Sequence, residues 1–204
     1  MIDTFYEDRE RIIKEAIIIV RESGLTSLSM RLLSQRVGIS EYGLYRYFEN
    51  VDVILVEIIK RYMQYDDIII HEVEQEDCMH YYKVQNFMRR AYEQYAEYSD
   101  FFLILVNIEE LMHNIYTRDL VTEMLKKRIL FFRNEFQLAI EEGEIIDVFT
   151  PEELSNIFVG TLYEEGLNRR IWHTRQPYVQ ARDAFLQNLE KVLLIDPSKR
   201  KREE

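Results

Sequence analysis

The chain has 204 residues, enough for one or two domains with a sizeable core. Its formal net charge of −11 argues against indiscriminate binding to nucleic acid. Only six Gly and three Pro occur, which weighs against sheet architectures and Gly-rich phosphate loops and favours long helices joined by short turns. No apolar run is long enough to span a bilayer, and Met1 to Asp8 lacks the basic-then-apolar order of a signal peptide. Cys78 is the single cysteine, so no internal disulfide forms and a cytoplasmic location is expected.

A first helix is predicted over 8–23, with Ile12, Ile13, Ala16, Ile17 and Val20 on one face and Gly24 as its stop. Ser29 caps a short second helix that runs to Val37, where Gly38 ends it. Ile39 occupies the turn, and Ser40 caps a third short helix reaching about Phe48. Two short helices joined by a tight Gly-containing turn form a helix-turn-helix pattern, with Leu33, Val37, Ile39 and Leu44 spaced to bury between them. Asn50 caps a long helix to about Glu74, with apolar positions at Leu55, Ile58, Ile59, Tyr62, Ile69 and Val73. Further helices are predicted at 79–98, 100–115 and 118–142, followed by a stop at Gly143. Thr150-Pro151-Glu152-Glu153 carries a Thr cap, Pro at the first helical position and Glu at the third, a strong start signal for a helix to about Thr174. Pro177 opens a last helix to about Ile195, and residues 196–204 are expected to form a flexible tail of mixed charge.

The short helices supply chemistry suited to a DNA duplex. Ser29 and Ser40 set backbone N–H groups at helix starts, which suit phosphate oxygens. The helix from Ser40 is short enough to enter a major groove by its first turn. Gly43 costs roughly 0.5–1 kcal/mol inside a helix relative to Ala, and close approach to DNA is a reason to keep it. Arg31 and Arg46 neutralise phosphates, or read guanine where they reach a base edge. The hydroxyls of Tyr42, Tyr45 and Tyr47 are suited to donate to phosphate, with simple packing the alternative for Tyr45 and Tyr47.

Taken together, Gly24-Leu25-Thr26-Ser27-Leu28-Ser29-Met30-Arg31-Leu32-Leu33-Ser34, then Val37-Gly38-Ile39-Ser40, then Leu44-Tyr45-Arg46-Tyr47-Phe48 closely resembles the DNA-binding domain of the tetracycline-repressor (TetR) family of transcriptional regulators. The detailed match covers about residues 8–56. The resemblance implies that Glu41, Tyr42 and Gly43 face bases, and that Ser29, Arg31, Tyr45 and Tyr47 mainly position the backbone. It implies an all-α chain with a three-helix helix-turn-helix domain over 1–50 and a helical ligand-binding and dimerisation domain over 51–195. It further implies a homodimer on a palindromic DNA operator, acting as a repressor released by a small lipophilic or aromatic effector. The chain departs from the family at two places. Val51 stands where a Lys is frequent, and Glu41 where a neutral or basic residue is frequent. Residues 1–60 hold 8 basic against 10 acidic groups, so charge alone is a poor source of DNA affinity here.

Residues 81–136 hold 12 of the 26 aromatics, a density that serves either a core or the walls of a ligand cavity. By the resemblance, Tyr82, Phe87, Phe101, Phe102, Asn107, His113, Phe132, Arg133 and Phe136 are candidates to line that cavity. For each polar member a structural hydrogen bond is the competing role. Ile157, Thr161, Phe185, Leu189 and Val192 are candidates for the dimer interface, with burial inside one chain the alternative. His71, Cys78 and His80 sit among acidic residues, but their spacing matches no zinc motif, so no metal is expected. No nucleophile–base arrangement is visible, and neither an enzyme activity nor a cofactor is expected. A module that has lost operator binding and acts through protein contacts is the alternative class, supported by Glu41, Val51 and the acidic balance.

Overall fold

The computed structural model describes residues 2–97, 104, 107–172 and 178–195. Among these, every regular element is a helix apart from one isolated bridge between Ile145 and Leu194. The α-helices are α1 (Ile2–Ser23), α2 (Met30–Val37), α3 (Glu41–Leu44), α4 (Val51–Glu74), α5 (His80–Glu97), α6 (Ile108–His113), α7 (Arg118–Glu141), α8 (Pro151–Trp172) and α9 (Tyr178–Leu193). The all-α class expected from the pattern is the one observed. Phe101, Phe102, Pro177 and the tail 196–204 lie outside the described residues. By internal packing the chain divides into two compact units, Met1–Gln64 with Ser99–Met124, and Tyr65–Tyr98 with Leu125–Glu204.

In the first unit α1 buries Ile12, Ile13, Ala16, Ile19 and Val20. Ile19 takes the place expected of Ile17, which is only half-buried. The helix starts at Ile2 rather than residue 8, because its extra turns find tertiary partners. The Phe5 ring stacks on Tyr47, and Asp8 accepts a hydrogen bond from the same residue. Leu33, Leu44 and Phe48 are buried beneath α2 and α3, while Val37 and Ile39 stay half-buried. Ion pairs tie α1 to the first turns of α4: Arg9 with Glu57 at 3.1 Å, and Arg61 donating to Glu10 at 2.7 Å. α6 ends at His113, two residues short of expectation. Asn114 leaves the helix to donate to Asp52 at 2.6 Å and to accept from the Tyr116 N–H at 2.8 Å.

In the second unit the apolar stripe of α7 carries two charged interruptions. Phe131, Phe132, Phe136 and Ala139 are buried, and so are Arg128 and Glu135. Each buried charge has a partner: Arg128 meets Asp66 of α4, and Glu135 meets the ring of His80 at 2.7 Å. The start of α5 is held from a distance, since the buried Glu144 carboxylate accepts from the N–H groups of His80 and Tyr81, both at 3.0 Å. The residues around Glu144 then pair with the end of α9, through Ile146 N–H to Leu193 O and Ile195 N–H to Glu144 O, both 2.9 Å. At the start of α8 the expected capping box forms: Thr150 N–H donates to Glu153 at 2.8 Å, and Glu153 N–H donates to the Thr150 hydroxyl oxygen at 3.2 Å.

Candidate nucleic-acid interface

Ser29 has extended backbone and its hydroxyl oxygen accepts from Leu32 N–H at 3.2 Å, which starts α2. Gly38 ends α2 with φ 75°, a left-handed turn that favours glycine, and its N–H closes on Ser34 O at 2.9 Å. Ser40 caps α3 through a 3.1 Å bond from Gly43 N–H. α3 is shorter than expected, ending at Leu44 rather than Phe48. Beyond it the chain tightens into i→i+3 bonds, Arg46 N–H to Gly43 O at 3.3 Å and Tyr47 N–H to Leu44 O at 2.9 Å.

Leu44 and Phe48 anchor this segment inward, which turns Tyr45 and Arg46 out. Tyr42 is 85% exposed and Tyr45 52% exposed, so both rings are open to a partner. Glu41, Arg31 and Arg46 are exposed beside them. Five of the six arginines of residues 1–50 differ in how they are engaged. Arg9 pairs with Glu57, Arg11 with Asp8, and Arg36 with Glu15 and Glu22. Arg31 and Arg46 make no ion pair with a described carboxylate. The sequence-predicted residues Ser29, Arg31, Ser40, Glu41, Tyr42, Tyr45 and Arg46 are thus brought onto two short helices and the turn after them.

Two members behave differently from expectation. Gly43 has a reason within the protein: a Cβ built there would sit 2.8 Å from Ile39 Cγ2. Tyr47 is half-buried rather than displayed, and its hydroxyl donates to Asp8 Oδ2 at 2.8 Å. That bond, with lesser contributions from burial and the Asp8 charge, holds the phenol above its ordinary pKa of 10.0. Arg9 completes the support by donating to Tyr47 O at 3.2 Å and lying over the Phe48 ring at 4.4 Å. Sequence reasoning missed Phe5, Asp8 and Arg9. An aromatic, a carboxylate and an arginine at spacings of three and four along one helix were the available signal.

The residues expected to line a cavity do not form one set. Phe87, Phe132 and Phe136 are fully buried in a chain of ring contacts, Phe87–Phe132 at 5.1 Å, Phe132–Phe158 at 6.2 Å and Phe136–Phe158 at 5.0 Å. Tyr82 is half-buried and donates to Glu190 at 3.0 Å; burial first, and then that bond, push its phenol up. Asn107 is buried at the start of α6. His113 does not fit an enclosed lining, since its side chain is 82% exposed. Arg133 is also exposed, and its guanidinium lies 2.6 Å from Glu152. Phe101 and Phe102 lie outside the described residues. Among the expected interface residues Ile157, Thr161, Phe185 and Leu189 are half-buried and Val192 is exposed. Phe185 is also in ring contact with Phe158 at 5.9 Å. Among the described residues no group of three or more His, Cys, Asp or Glu could hold one metal ion, and no helix is long and apolar enough to cross a membrane. Burial first, and then the neighbouring Glu76, push the Cys78 thiol up.

No sequence-family model matches the chain, and no curated protein matches it significantly. Solved structures do. The ketosteroid transcriptional regulator KstR2 of Mycobacterium tuberculosis superposes with a TM-score of 0.81 at 14% identity, over 92% of this chain and 95% of that one. A TetR-family regulator from Agrobacterium tumefaciens gives 0.76 at 16% identity, over 94% and 100%. AibR, in complex with isovaleryl coenzyme A and operator DNA, gives 0.73 at 18% identity, over 89% and 97%. Coverage is nearly complete in both directions, and the chain has the fold of the TetR-family transcriptional regulators.

Proposed function

We propose that this chain is a TetR-type DNA-binding transcriptional regulator, a ligand-released repressor that holds a palindromic operator as a homodimer. The observation that carries this reading is the outward face made by Arg31, Tyr42, Tyr45 and Arg46 on two serine-capped helices joined at Gly38. Arg31 and Arg46 supply phosphate contacts, and Glu41 and Tyr42 lead into the groove, where a carboxylate accepts from cytosine N4. Residues 1–50 form the reading domain, 51–195 the effector and dimerisation domain, and 196–204 a tail. AibR is held with isovaleryl coenzyme A and operator DNA, which supports an effector site here too, with the branched acyl group as the lipophilic part. The aromatic residues Tyr82, Phe87, Phe132 and Phe136 offer it apolar and ring contacts. The dimer uses Ile157, Thr161, Leu189 and Val192, since Val192 leaves apolar surface exposed at the end of α9. The chain is not an enzyme in this reading.

Selection of genomic fragments that the purified protein retains, followed by gel shift, tests the proposal. Retention of a fragment containing an inverted repeat is expected. Failure to enrich any sequence would favour the alternative of a module acting through protein contacts. A dimer is expected in sedimentation at micromolar concentration, and Leu189→Glu should shift it toward monomer; a wild-type monomer would remove the paired-reader model.

A further inference from the structure

The side of the reader next to α1 carries an arrangement that the proposed function does not require. Tyr47 is held at three points. The Phe5 ring stacks on it at 4.8 Å and 24°, Arg9 donates to its carbonyl at 3.2 Å, and its hydroxyl donates to Asp8 Oδ2 at 2.8 Å. The second oxygen of the same carboxylate, Oδ1, faces Arg11 Nη2 at 3.0 Å. One carboxylate therefore engages two donors, the Tyr47 phenol and the Arg11 guanidinium. Phenol has a single proton to donate, so a Tyr47 hydroxyl bonded to Asp8 has none for a phosphate oxygen. Arg11 is more than half exposed, and an exposed ion pair is weak enough that a phosphate would compete for it on nearly equal terms.

We propose that Asp8 sets the DNA affinity of this reader by withholding Tyr47 and Arg11 from the DNA backbone and placing a negative charge beside it. The inference rests on the DNA-binding reading. Backbone contacts carry no sequence information, so withholding them lowers affinity for all DNA alike and leaves discrimination to Glu41 and Tyr42. Asp8 is a positioning residue that acts through its two partners.

The test is a salt titration of binding to two duplexes, one of random sequence and one retained in the genomic selection. The proteins are wild type, Asp8→Asn, Tyr47→Phe and the double variant. Asp8→Asn should tighten binding to both duplexes by a similar factor, about three- to tenfold at low salt. It should steepen log K against log salt by about 0.9 for each additional phosphate neutralised. Tyr47→Phe should cost more in the Asp8→Asn background than in wild type, because there the charge-assisted bond is replaced by a weaker neutral one that the hydroxyl leaves more readily for a phosphate. Asp147→Asn removes the same charge from an exposed position in the second unit and should leave the slope alone. Unchanged or weaker binding by Asp8→Asn, with wild type still binding, would overturn this inference and leave the DNA-binding reading standing. Equal losses for Tyr47→Phe in the two backgrounds would overturn it as well. If the genomic selection retained no fragment and no protein bound the random duplex while all melted like wild type, both readings would fall together.

Discussion

Asp66 and Arg128 form an ion pair in the interior of the second unit, one guanidinium nitrogen lying 2.8 and 2.6 Å from the two carboxylate oxygens. Both side chains are almost sealed from water, at 4% and 2% exposure. They are 62 residues apart in sequence, and each occupies a position that the helical period assigns to the core. The Arg128 guanidinium also lies 5.7 Å from the centre of the Phe87 ring. Removing one partner strands a buried charge, so Asp66→Leu or Arg128→Met alone should each lower stability by about 3–5 kcal/mol. The two together restore a neutral, apolar interior and should come within about 1 kcal/mol of wild type. Urea unfolding of the three variants gives the coupling directly. A double variant as unstable as the sum of the singles would show that the pair makes no special match.

Gly43→Ala tests the contact with Ile39. Alanine gains roughly 0.5–1 kcal/mol of intrinsic helix preference over glycine. A Cβ at 2.8 Å from Ile39 Cγ2 and 3.1 Å from Ser40 Oγ is too close, however, and overpacking of that kind costs typically 1–3 kcal/mol. The net effect should be destabilising. Ile39→Ala made in the Gly43→Ala background should recover part of the loss, as read from thermal melting. A Gly43→Ala protein that melts above wild type would mean that Ile39 moves aside freely.

Val51 is the first residue of α4, and Asn50 caps that helix by accepting from Val53 N–H at 3.0 Å. A lysine there would add one positive charge per half-site. Val51→Lys should therefore steepen the salt dependence of log K by about 0.9 per protomer and tighten binding to specific and unrelated DNA equally. A slope identical to wild type would place this helix start away from the duplex.

Glu10 gives a pH signature. The hydrogen bond from Arg61 is the largest influence on its carboxyl and holds it below the ordinary value of 4.5, against an opposing effect of burial. A lowered folded-state pKa means that the contribution is present in full above about 4.5 and drains away as pH falls through the lowered value. The Glu10 side chain is nearly half exposed, so solvent screening limits the contribution to about 0–1 kcal/mol. Glu10→Gln should be slightly less stable than wild type at pH 7 and equal to it near pH 3 in denaturant unfolding. A constant difference across that range would assign its effect to something other than the carboxylate charge.

Four helix starts among the described residues are legible from sequence because a cap is a local event. Ser29, Ser40, Asn50 and Thr150 each bond an amide three residues ahead, and nothing farther away is required. The distant cap on α5 is not legible, since Glu144 reaches it from 64 residues away. The same holds for Asp8 and Tyr47, whose pairing spans 39 positions. Helical period places Arg128 and Asp66 as charges on apolar stripes without saying which partner each will find. His113 is misplaced by sequence because a histidine beside an apolar run reads the same whether the next turn of helix is covered or open. The family resemblance supplies the reading face. It does not show that one of its tyrosines is engaged by the chain's own first helix.

On the proposed function, the ion pairs that occupy Arg9, Arg11 and Arg36 have a consequence for how the protein would search a genome. A reader that turns three of its cations to its own carboxylates has fewer counterions to displace from ordinary DNA, so its dwell time on random sequence is shortened. Genomic DNA offers about 10⁶–10⁹ competing sites, and a strongly basic reader is largely stored on them. This one, repelled overall by its net charge of −11, would remain mostly in the free pool. Its operator occupancy would then follow total copy number closely, and a modest change in expression or effector would be felt at the promoter without a reservoir to buffer it.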